Sequence, residues 1–300
     1  MRHFPKILGL SVLFSSVGAL SLPACDTASC PKSLSLRDVP YREAPAASGQ
    51  RPLTLDCDAP TSASAPPLVM FVHGGAWQVG DKKSARDGYV PAFLKAGYAF
   101  CAVNYGLFPV STPEQAADDI AAALAFARSN AKAWRFDPDR LVLIGHSAGA
   151  HLVALVALDA RYLQRHQVPK DSLRALVLLD GAGYDIAWQV ANGRNAELYQ
   201  KVFGPSPDTW QRLSPLTYAP GGGPASLIHY IAARAPSRAQ ATALAGALRK
   251  AGTRVDLNAV TGETHSSIHR GFGAADDATT QKTFSFLAEV VSPTLPAPSR

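Results

Sequence analysis

The sequence predicts an α/β fold with a mostly parallel central sheet and helices on both faces. The first observation is a set of continuous apolar runs, which are typical of strands buried on both faces. These runs are 68–72, 99–103, 141–144, 176–179 and 227–231. The second observation is that helical stretches alternate with them, namely 113–132, 147–159, 237–251 and 274–291. Alternation of this kind over one domain is typical of a parallel sheet covered by helices.

The predicted domain covers residues 33–291 and begins with two strands, 33–42 and 51–57. Segment 184–220 interrupts the alternation and is rich in aromatic and turn residues, so we interpret it as a small cap-like insertion over the sheet edge. We expect most of its aromatic side chains to form a small core of their own. Segment 292–300 contains three prolines and is predicted to be disordered.

Composition excludes several classes of protein. Hydrophobic residues make up 47% of the 300 residues and charged residues 17%, which is enough apolar material for a buried core. The net charge is +6, but the basic residues are scattered, and the densest patch is only Lys82, Lys83 and Arg86. Nucleic-acid binders usually show basic stripes with aromatics between them. The sequence therefore gives no indication of a nucleic-acid partner.

The N-terminus has the three parts of a secretory signal peptide. Arg2, His3 and Lys6 precede an apolar stretch, 7–22, and a small residue ends it at Ala24. The stretch is shorter than the roughly 20 residues that a membrane-spanning helix prefers. We therefore predict that residues 1–24 are a cleaved leader and that the protein is exported, to the periplasm or the medium. A retained N-terminal anchor is the alternative.

The four cysteines fit an exported protein without a metal site. Cys25 follows Leu-Pro-Ala, which resembles a bacterial lipoprotein cleavage site, so a lipid on Cys25 is one possible membrane anchor. Cys25 and Cys30 are close enough in sequence to form a small disulfide loop in an oxidising compartment. Cys57 and Cys101 lie in strand-like runs and are expected to be buried free thiols. Their spacing does not resemble a zinc site, and we expect neither metal nor cofactor.

The motif with the clearest chemistry is G-x-S-x-G at 145–149, centred on Ser147. A buried strand runs directly into it and an Ala-rich helix follows at once. A serine on such a tight strand-to-helix turn exposes its hydroxyl near the positive end of the helix, and the flanking glycines relieve crowding. This context predicts that Ser147 is a nucleophile.

The second motif is His73-Gly74-Gly75-Ala76-Trp77, directly after the strand 68–72. Acyl transfer requires stabilisation of an oxyanion, and backbone N–H groups are the usual donors. Two consecutive glycines allow the backbone to approach a substrate. We therefore assign the oxyanion donors to Gly74, Gly75 and Ala148, and we interpret His73 as a residue that holds this loop.

Together these motifs resemble the esterase/lipase-like α/β-hydrolases. H-G-G-x-W, Val-Asn-Tyr at 103–105 and G-H-S-A-G-A-H-L at 145–152 are similar to arylformamidases and feruloyl-esterase-like carboxylesterases over about 53–273. The resemblance implies an α/β-hydrolase fold and a Ser147–His265 pair with the oxyanion donors named above. The chain departs from the family at Gly106, where arginine often follows the Asn-Tyr pair. It also lacks the usual aspartate after the strand 227–231.

Chain order selects the general base. In this fold the order is serine, acid, histidine, which leaves five of the eight histidines after Ser147. The five are His151, His166, His229, His265 and His269. Only His265 lies in a loop directly after a predicted strand, 254–260, where it would face the carboxyl edge of the sheet. His269 is the fallback and is expected to lie on the surface.

The acid is assigned to Asp180, because it ends the buried strand 176–179 at the edge where catalytic loops gather. Asp185 is the next candidate, although aspartate commonly caps a helix, which is its simpler interpretation. Glu263 lies very close to His265 in sequence, and Asp256 should point sideways from its strand. A triad that lacks an acid also stays open.

The chemistry that these residues support is hydrolysis of a small-molecule carboxylic ester through an acyl-enzyme. Two alternatives remain open. The same machinery would cleave an aryl formamide, which the family resemblance suggests. A catalytically impaired hydrolase fold used for binding is an alternative of a different class, and the missing family aspartate is its main support. The sequence gives no indication of the oligomeric state.

Overall fold

The computed structural model describes residues 33–43, 52–62, 64–193 and 195–291. The predicted leader (1–24), the Cys25 and Cys30 pair and the predicted disordered tail (292–300) lie outside the described residues.

The core of the domain is an eight-stranded sheet with the order β1-β2-β4-β3-β5-β6-β7-β8. The strands are β1 Leu34–Arg42, β2 Leu53–Ala59, β3 Pro67–Val72, β4 Ala99–Val103, β5 Asp137–His146, β6 Leu173–Leu179, β7 Ala225–Ile231 and β8 Val255–Val260. The pairs β1–β2 and β2–β4 are antiparallel, and every other pair is parallel. The predicted mostly parallel sheet is confirmed.

Helices follow most of the strands. They are α1 Tyr89–Lys95, α2 Pro113–Ser129, α3 Ala131–Trp134, α4 Ala148–Leu158, α5 Ala160–Arg165, α6 Ile186–Asn192, α7 Ala196–Phe203, α8 Pro207–Arg212, α9 Pro215–Tyr218, α10 Ala235–Lys250, α11 Ser267–Arg270 and α12 Ala278–Val290. The predicted helix 113–132 is divided at Asn130 into α2 and α3. Helix α1, which the sequence analysis missed, makes the crossover between the parallel strands β3 and β4.

The strands alternate their side chains between two apolar layers, as period-2 geometry requires. In β5, Leu141 and Leu143 belong to a layer with residues of α2, α4 and α10, whereas Val142 and Ile144 belong to a layer with residues of α1 and α12. Both faces of the sheet are therefore covered by helices, which explains why the strands are continuously apolar in sequence.

Cys57 and Cys101 form a disulfide, so the prediction of two free thiols was wrong. Cys57 in β2 lies directly opposite Cys101 in β4 in the antiparallel register. The two residues are 44 positions apart in sequence. Apolar runs in the sequence identify single strands but not which strands are neighbours in the sheet. The disulfide could not be predicted for this reason, because it requires β4 to lie between β2 and β3.

The carboxyl ends of the parallel strands meet at one edge of the sheet. Strand β5 lies between β3 and β6, so the loops that follow these three strands converge, and the loops after β7 and β8 extend the same edge. Clefts at this edge are where open α/β sheets bind ligands.

Candidate active site

Ser147 occupies a strained turn between β5 and α4. Its backbone has φ 56° and ψ −119°, a conformation that L residues rarely adopt and that costs about 1–3 kcal/mol. Gly149 lies so close to β3 that a Cβ on it would be 2.1 Å from the carbonyl oxygen of Val72. The glycine spacing of the motif therefore lets the turn pack against the neighbouring strand while the serine projects from the sheet edge.

His265 lies in the loop after β8 and contacts both of its predicted partners. Its Nε2 is 2.9 Å from the hydroxyl of Ser147. Its Nδ1 is 2.7 Å from Oδ2 of Asp180. With a proton on Nδ1 the ring donates to Asp180, and Nε2 is then free to accept the hydroxyl proton of Ser147. The structure thus brings the three residues predicted as nucleophile, base and acid into one hydrogen-bonded chain.

Asp180 is fully buried at the end of β6 and is surrounded by donors. Oδ1 accepts from the Ile231 N–H at 3.0 Å and from the Ser237 hydroxyl, and Oδ2 accepts from His265 and from the Arg234 guanidinium. Burial alone would raise the pKa of Asp180, but these donors lower it to about 2. The carboxylate is therefore ionised at neutral pH.

Arg234 is a residue of this site to which the sequence analysis gave no role. It follows β7, where the resembling family usually has an aspartate. Its Nη1 donates to Asp180 and lies 2.7 Å from Nδ1 of His265. When Nδ1 carries a proton for Asp180, this second contact joins two donors and is not a hydrogen bond. A basic residue at the position of the family acid was the signal that could have identified Arg234.

The loop after β3 carries the predicted oxyanion donors. A Cβ placed on Gly74 would lie 3.0 Å from the Cβ of Ser147, so this part of the loop lies beside the nucleophile. Gly75 has φ +119°, and a Cβ there would be 1.8 Å from the carbonyl oxygen of Val79. In the turns, loops and caps of the described chain, the N–H groups of Gly74, Gly75 and Ala148 donate to no backbone carbonyl. These three donors are thus available to a ligand.

His73 is buried and holds this loop, as the sequence predicted. Its ring stacks on Tyr105 with centroids 4.4 Å apart, and its Nδ1 is 2.7 Å from the Gly74 carbonyl oxygen. Burial lowers the pKa of His73, so the ring is neutral and its Nδ1–H donates to that carbonyl. The Tyr105 hydroxyl donates to the His73 carbonyl at 2.9 Å.

A second histidine supports the loop of His265. His146, the residue before Ser147, lies with Nε2 2.8 Å from the His265 carbonyl oxygen. Burial lowers the pKa of His146 to about 3, so the ring is neutral and Nε2–H donates. His269 stacks on His146 with centroids 4.8 Å apart and also on Phe71. The expectation that His269 is a surface residue was therefore wrong, because it is half-buried between these rings.

The segment between β6 and β7 forms α6 to α9 and packs on the oxyanion loop. Trp77 makes edge contacts with Tyr199 and Phe203 of α7. The Trp77 indole donates to Nδ1 of His151 at 3.2 Å, and Nε2 of His151 is 2.8 Å from the Leu213 carbonyl oxygen. Burial lowers the pKa of His151 to about 4, which keeps the ring neutral for this arrangement. The segment is thereby fixed to the sheet edge.

A cavity of about 160 Å³ lies between this segment and the sheet edge. Its floor includes Ser147, Ala148 and His265, and its walls include Trp77, Tyr199 and Arg234. The lining is mostly apolar around the reactive groups, as in typical small-molecule sites.

The remaining acid candidates have other partners. Asp185 caps α6, with its carboxylate accepting from the Trp188 N–H at 2.9 Å. Glu263 accepts from the Ser267 hydroxyl, and Asp256 pairs with Lys282 at 3.2 Å. The structure brings none of these three carboxylates into contact with His265.

The described part of the chain contains neither a candidate metal site nor a candidate membrane span. No group of three or more His, Cys, Asp or Glu residues in that part could hold a metal ion. No helix in the same ranges has the length and apolar character needed to cross a bilayer.

Comparison with known proteins places the chain in a family. The family model BD-FAE matches residues 55–233, which is more than half of the 300-residue chain. A probable isoprenylcysteine alpha-carbonyl methylesterase of Oryza sativa subsp. japonica is 28% identical over 73% of this chain and 56% of its own length. The carboxylic ester hydrolase LipN of Mycobacterium tuberculosis is 28% identical over 70% of this chain and 59% of its own length. The chain thus spans little more than half of these two relatives.

Solved structures show the same fold. A thermophilic esterase from the Planctomycetes species Thermogutta terrifontis superposes with a TM-score of 0.69 at 23% identity, covering 88% of this chain and 95% of that chain. The predicted α/β-hydrolase fold is confirmed. With the family model matching the strands and loops that carry Ser147, Asp180 and the glycine loop, the chain belongs to the BD-FAE family.

Proposed function

We propose that this protein is a serine hydrolase that cleaves carboxylic esters through an acyl-enzyme. The observation that carries the proposal is the hydrogen-bonded chain from Ser147 through His265 to Asp180. The relatives and the solved structure described above are named as ester hydrolases or esterases, which supports the same reaction.

The residues take the following roles. His265 removes the proton from Ser147 as the hydroxyl oxygen attacks the ester carbonyl, and the N–H groups of Gly74, Gly75 and Ala148 stabilise the resulting oxyanion. Asp180 holds the productive tautomer of His265 and stabilises the imidazolium. His265 then returns the proton to the leaving alcohol, and a water molecule repeats the sequence to release the acid.

The size of the cavity limits the substrate. A volume of about 160 Å³ directly beside Ser147 accommodates a short acyl or alcohol group, and a longer group must extend beyond this cavity. Ester hydrolysis is favoured over aryl formamide hydrolysis, because the relatives that support the proposal are named for ester cleavage.

We also propose that the protein is exported. The Cys57–Cys101 disulfide supports this, because such bonds persist mainly in oxidising compartments. The predicted leader supports it independently. Mass analysis of protein recovered from the native host should give a chain that starts near Cys25, with added acyl mass if that residue carries a lipid. A full-length cytoplasmic product contradicts export.

The test of the activity is a panel of p-nitrophenyl esters of increasing acyl length, assayed beside N-formylkynurenine. We expect kcat/KM to be highest for short acyl chains and to fall as the chain outgrows the cavity. Turnover of N-formylkynurenine above that of every ester would overturn the choice of ester. A folded protein that turns over neither class would support the alternative of an impaired, binding-only hydrolase fold.

A further inference from the structure

A second cavity, of about 330 Å³, adjoins the one that contains Ser147. The two cavities share Ala182, Asn195, Tyr199 and Arg234 in their linings. The two cavities are therefore neighbours, and the guanidinium of Arg234 lines both of them.

Arg234 is positioned to bind a ligand group in this second cavity. Within the described residues, the side-chain polar contacts of Arg234 are made by Nη1, to Asp180 and His265. Its Nε and Nη2 have no hydrogen-bond partner there. The side chain is 36% exposed, whereas its partner Asp180 is fully buried behind it and lines neither cavity. The described lining of the two cavities contains no aspartate or glutamate, so the permanent charge there is the guanidinium.

An unpartnered amide lies in the same lining. Gln189 of α6 is 4% exposed, and its Oε1 is buried with no hydrogen-bond partner. Buried polar atoms almost always have a partner, and an exception in a cavity wall indicates a missing ligand group or water. Gln189 lines the cavity, and its amide also carries an NH₂ group that can donate to a ligand oxygen.

The cavity also includes the N-terminus of a long helix. Helix α10 spans 16 residues, and Ala233, Ala235 and Pro236 at its start line the cavity. The dipole at a helix N-terminus favours an anion, although Pro236 has no N–H to donate. The guanidinium, the amide and the helix N-terminus thus present donors and positive potential to one volume beside the nucleophile.

We propose that this second cavity is a carboxylate subsite, and that the preferred substrates are esters that carry a carboxylate a few atoms from the scissile bond. The inference rests on the proposed esterase function and specifies its substrate class. The carboxylate can belong to the acyl part, as in a monoester of a short dicarboxylic acid, or to the alcohol part, as in an acyl ester of a hydroxybenzoic acid. Arg234 then bridges Asp180 and the substrate carboxylate.

The test compares each anionic ester with a neutral ester in which an acetyl group replaces the carboxylate. The acyl arm uses monomethyl glutarate against methyl 5-oxohexanoate, and the alcohol arm uses 4-butyryloxybenzoate against 4-acetylphenyl butyrate. The readout is the ratio of kcat/KM within each pair. We expect a ratio of at least about 10 in one arm, because a charge-assisted bond to a carboxylate is stronger than one to a ketone. The ratio should fall as salt is raised, because the cavity is partly open to solvent.

Three variants test whether the preference for anionic esters depends on the second cavity. In Arg234→Gln we expect the ratio of kcat/KM for the anionic ester to that for the neutral ester to fall about tenfold or more. This variant also loses the contact with Asp180, which can lower turnover of both esters, but that loss does not change their ratio. In Gln189→Leu, which leaves the triad contacts intact, we expect a fall of about threefold. Arg238→Gln is the matched control, because Arg238 lies one turn further along α10 and lines neither of the two cavities. It removes the same charge and should leave the ratio unchanged.

The outcomes separate the two proposals. Equal kcat/KM for anionic and neutral esters in both arms overturns the subsite while leaving the esterase intact. A ratio that stays constant in Arg234→Gln while both rates fall shows that Arg234 only positions Asp180, and this too overturns the subsite. Absence of turnover of every ester refutes the proposed function itself.

Discussion

Replacing Asp180 with asparagine tests the acid assignment with almost no change in shape. The Ile231 N–H can only donate, so it holds the amide oxygen of the new side chain on its own side. The amide NH₂ then takes the place of Oδ2, where it faces Nδ1 of His265 at 2.7 Å and no longer accepts the hydrogen bond from Arg234. That contact forces Nδ1 to accept and places the ring proton on Nε2. A ring in this tautomer is unable to take the proton of Ser147.

The expected loss is large. An equivalent Asp→Asn change in a serine protease lowers kcat by about 10⁴. We therefore expect Asp180→Asn to lower kcat by about 10² to 10⁴, which raises the activation free energy by about 2.7–5.4 kcal/mol. KM for p-nitrophenyl butyrate should change much less, because Asp180 is fully buried and lines neither cavity.

Stability should fall as well. The pKa of Asp180 is lowered to about 2 in the folded protein, compared with about 4 in the unfolded chain. The ionised carboxylate therefore contributes about 2 kcal/mol to the free energy of unfolding. This contribution is present above about pH 4 and is lost as the pH falls towards 2. Urea unfolding at pH 7 should show this loss in Asp180→Asn.

Matched variants make the result decisive. Asp185→Asn keeps a good helix cap on α6. Glu263→Gln changes a carboxylate that, among the described residues, accepts from the Ser267 hydroxyl and does not contact His265. Both variants should therefore retain near-native kcat. Near-native turnover in Asp180→Asn, together with loss of turnover in either control, would refute the assignment.

Three further outcomes are expected. Gly75→Ala should lower kcat by about 10²–10³, because the new Cβ would lie 1.8 Å from the Val79 carbonyl oxygen and the loop would have to shift an oxyanion donor. Steady-state kinetics on the folded variant tests this prediction. An unchanged kcat would show that Gly75 is not an oxyanion donor. The double variant Cys57→Ser/Cys101→Ser should lose up to about 4 kcal/mol in urea unfolding, the value for a bond closing 44 residues, with kcat retained. Burial lowers the pKa of His151 to about 4, so this ring binds a proton when the protein unfolds below about pH 6.5. The free energy of unfolding should therefore fall by about 1–2 kcal/mol on account of His151 as the pH drops from 7 to 5. In His151→Phe, urea unfolding should show a weaker dependence of that free energy on pH.

Much of the fold was predictable from periodicity. Strands buried on both faces are continuously apolar, so β4 was predicted with its observed bounds, Ala99–Val103. Strand β2 was predicted two residues too early at each end. Helix α1 was missed because it is only seven residues long. The order of strands in the sheet was not predictable from such patterns, and the Cys57–Cys101 pairing depends on that order.

The candidate site was predictable where a motif or chain order constrained it. Ser147 and the glycine loop follow strands directly, and the structure places His265 and Asp180 in contact at the same edge. Their catalytic roles remain predictions. Arg234 and Gln189 were not predicted to have a role, because their relation to the site depends on how α6 and α10 pack around the cavity. Sequence spacing carries no information on that packing.

The measurement that tests the central claim most directly is labelling with a fluorophosphonate, followed by mass analysis of the intact protein and its peptides. The native protein should gain one adduct, located on Ser147, because His265 activates that hydroxyl at 2.9 Å. Ser147→Ala should remain unlabelled, and His265→Ala should react at least a hundredfold more slowly. Equal labelling of native protein and Ser147→Ala, or an adduct on a different residue of the native protein, would contradict the account.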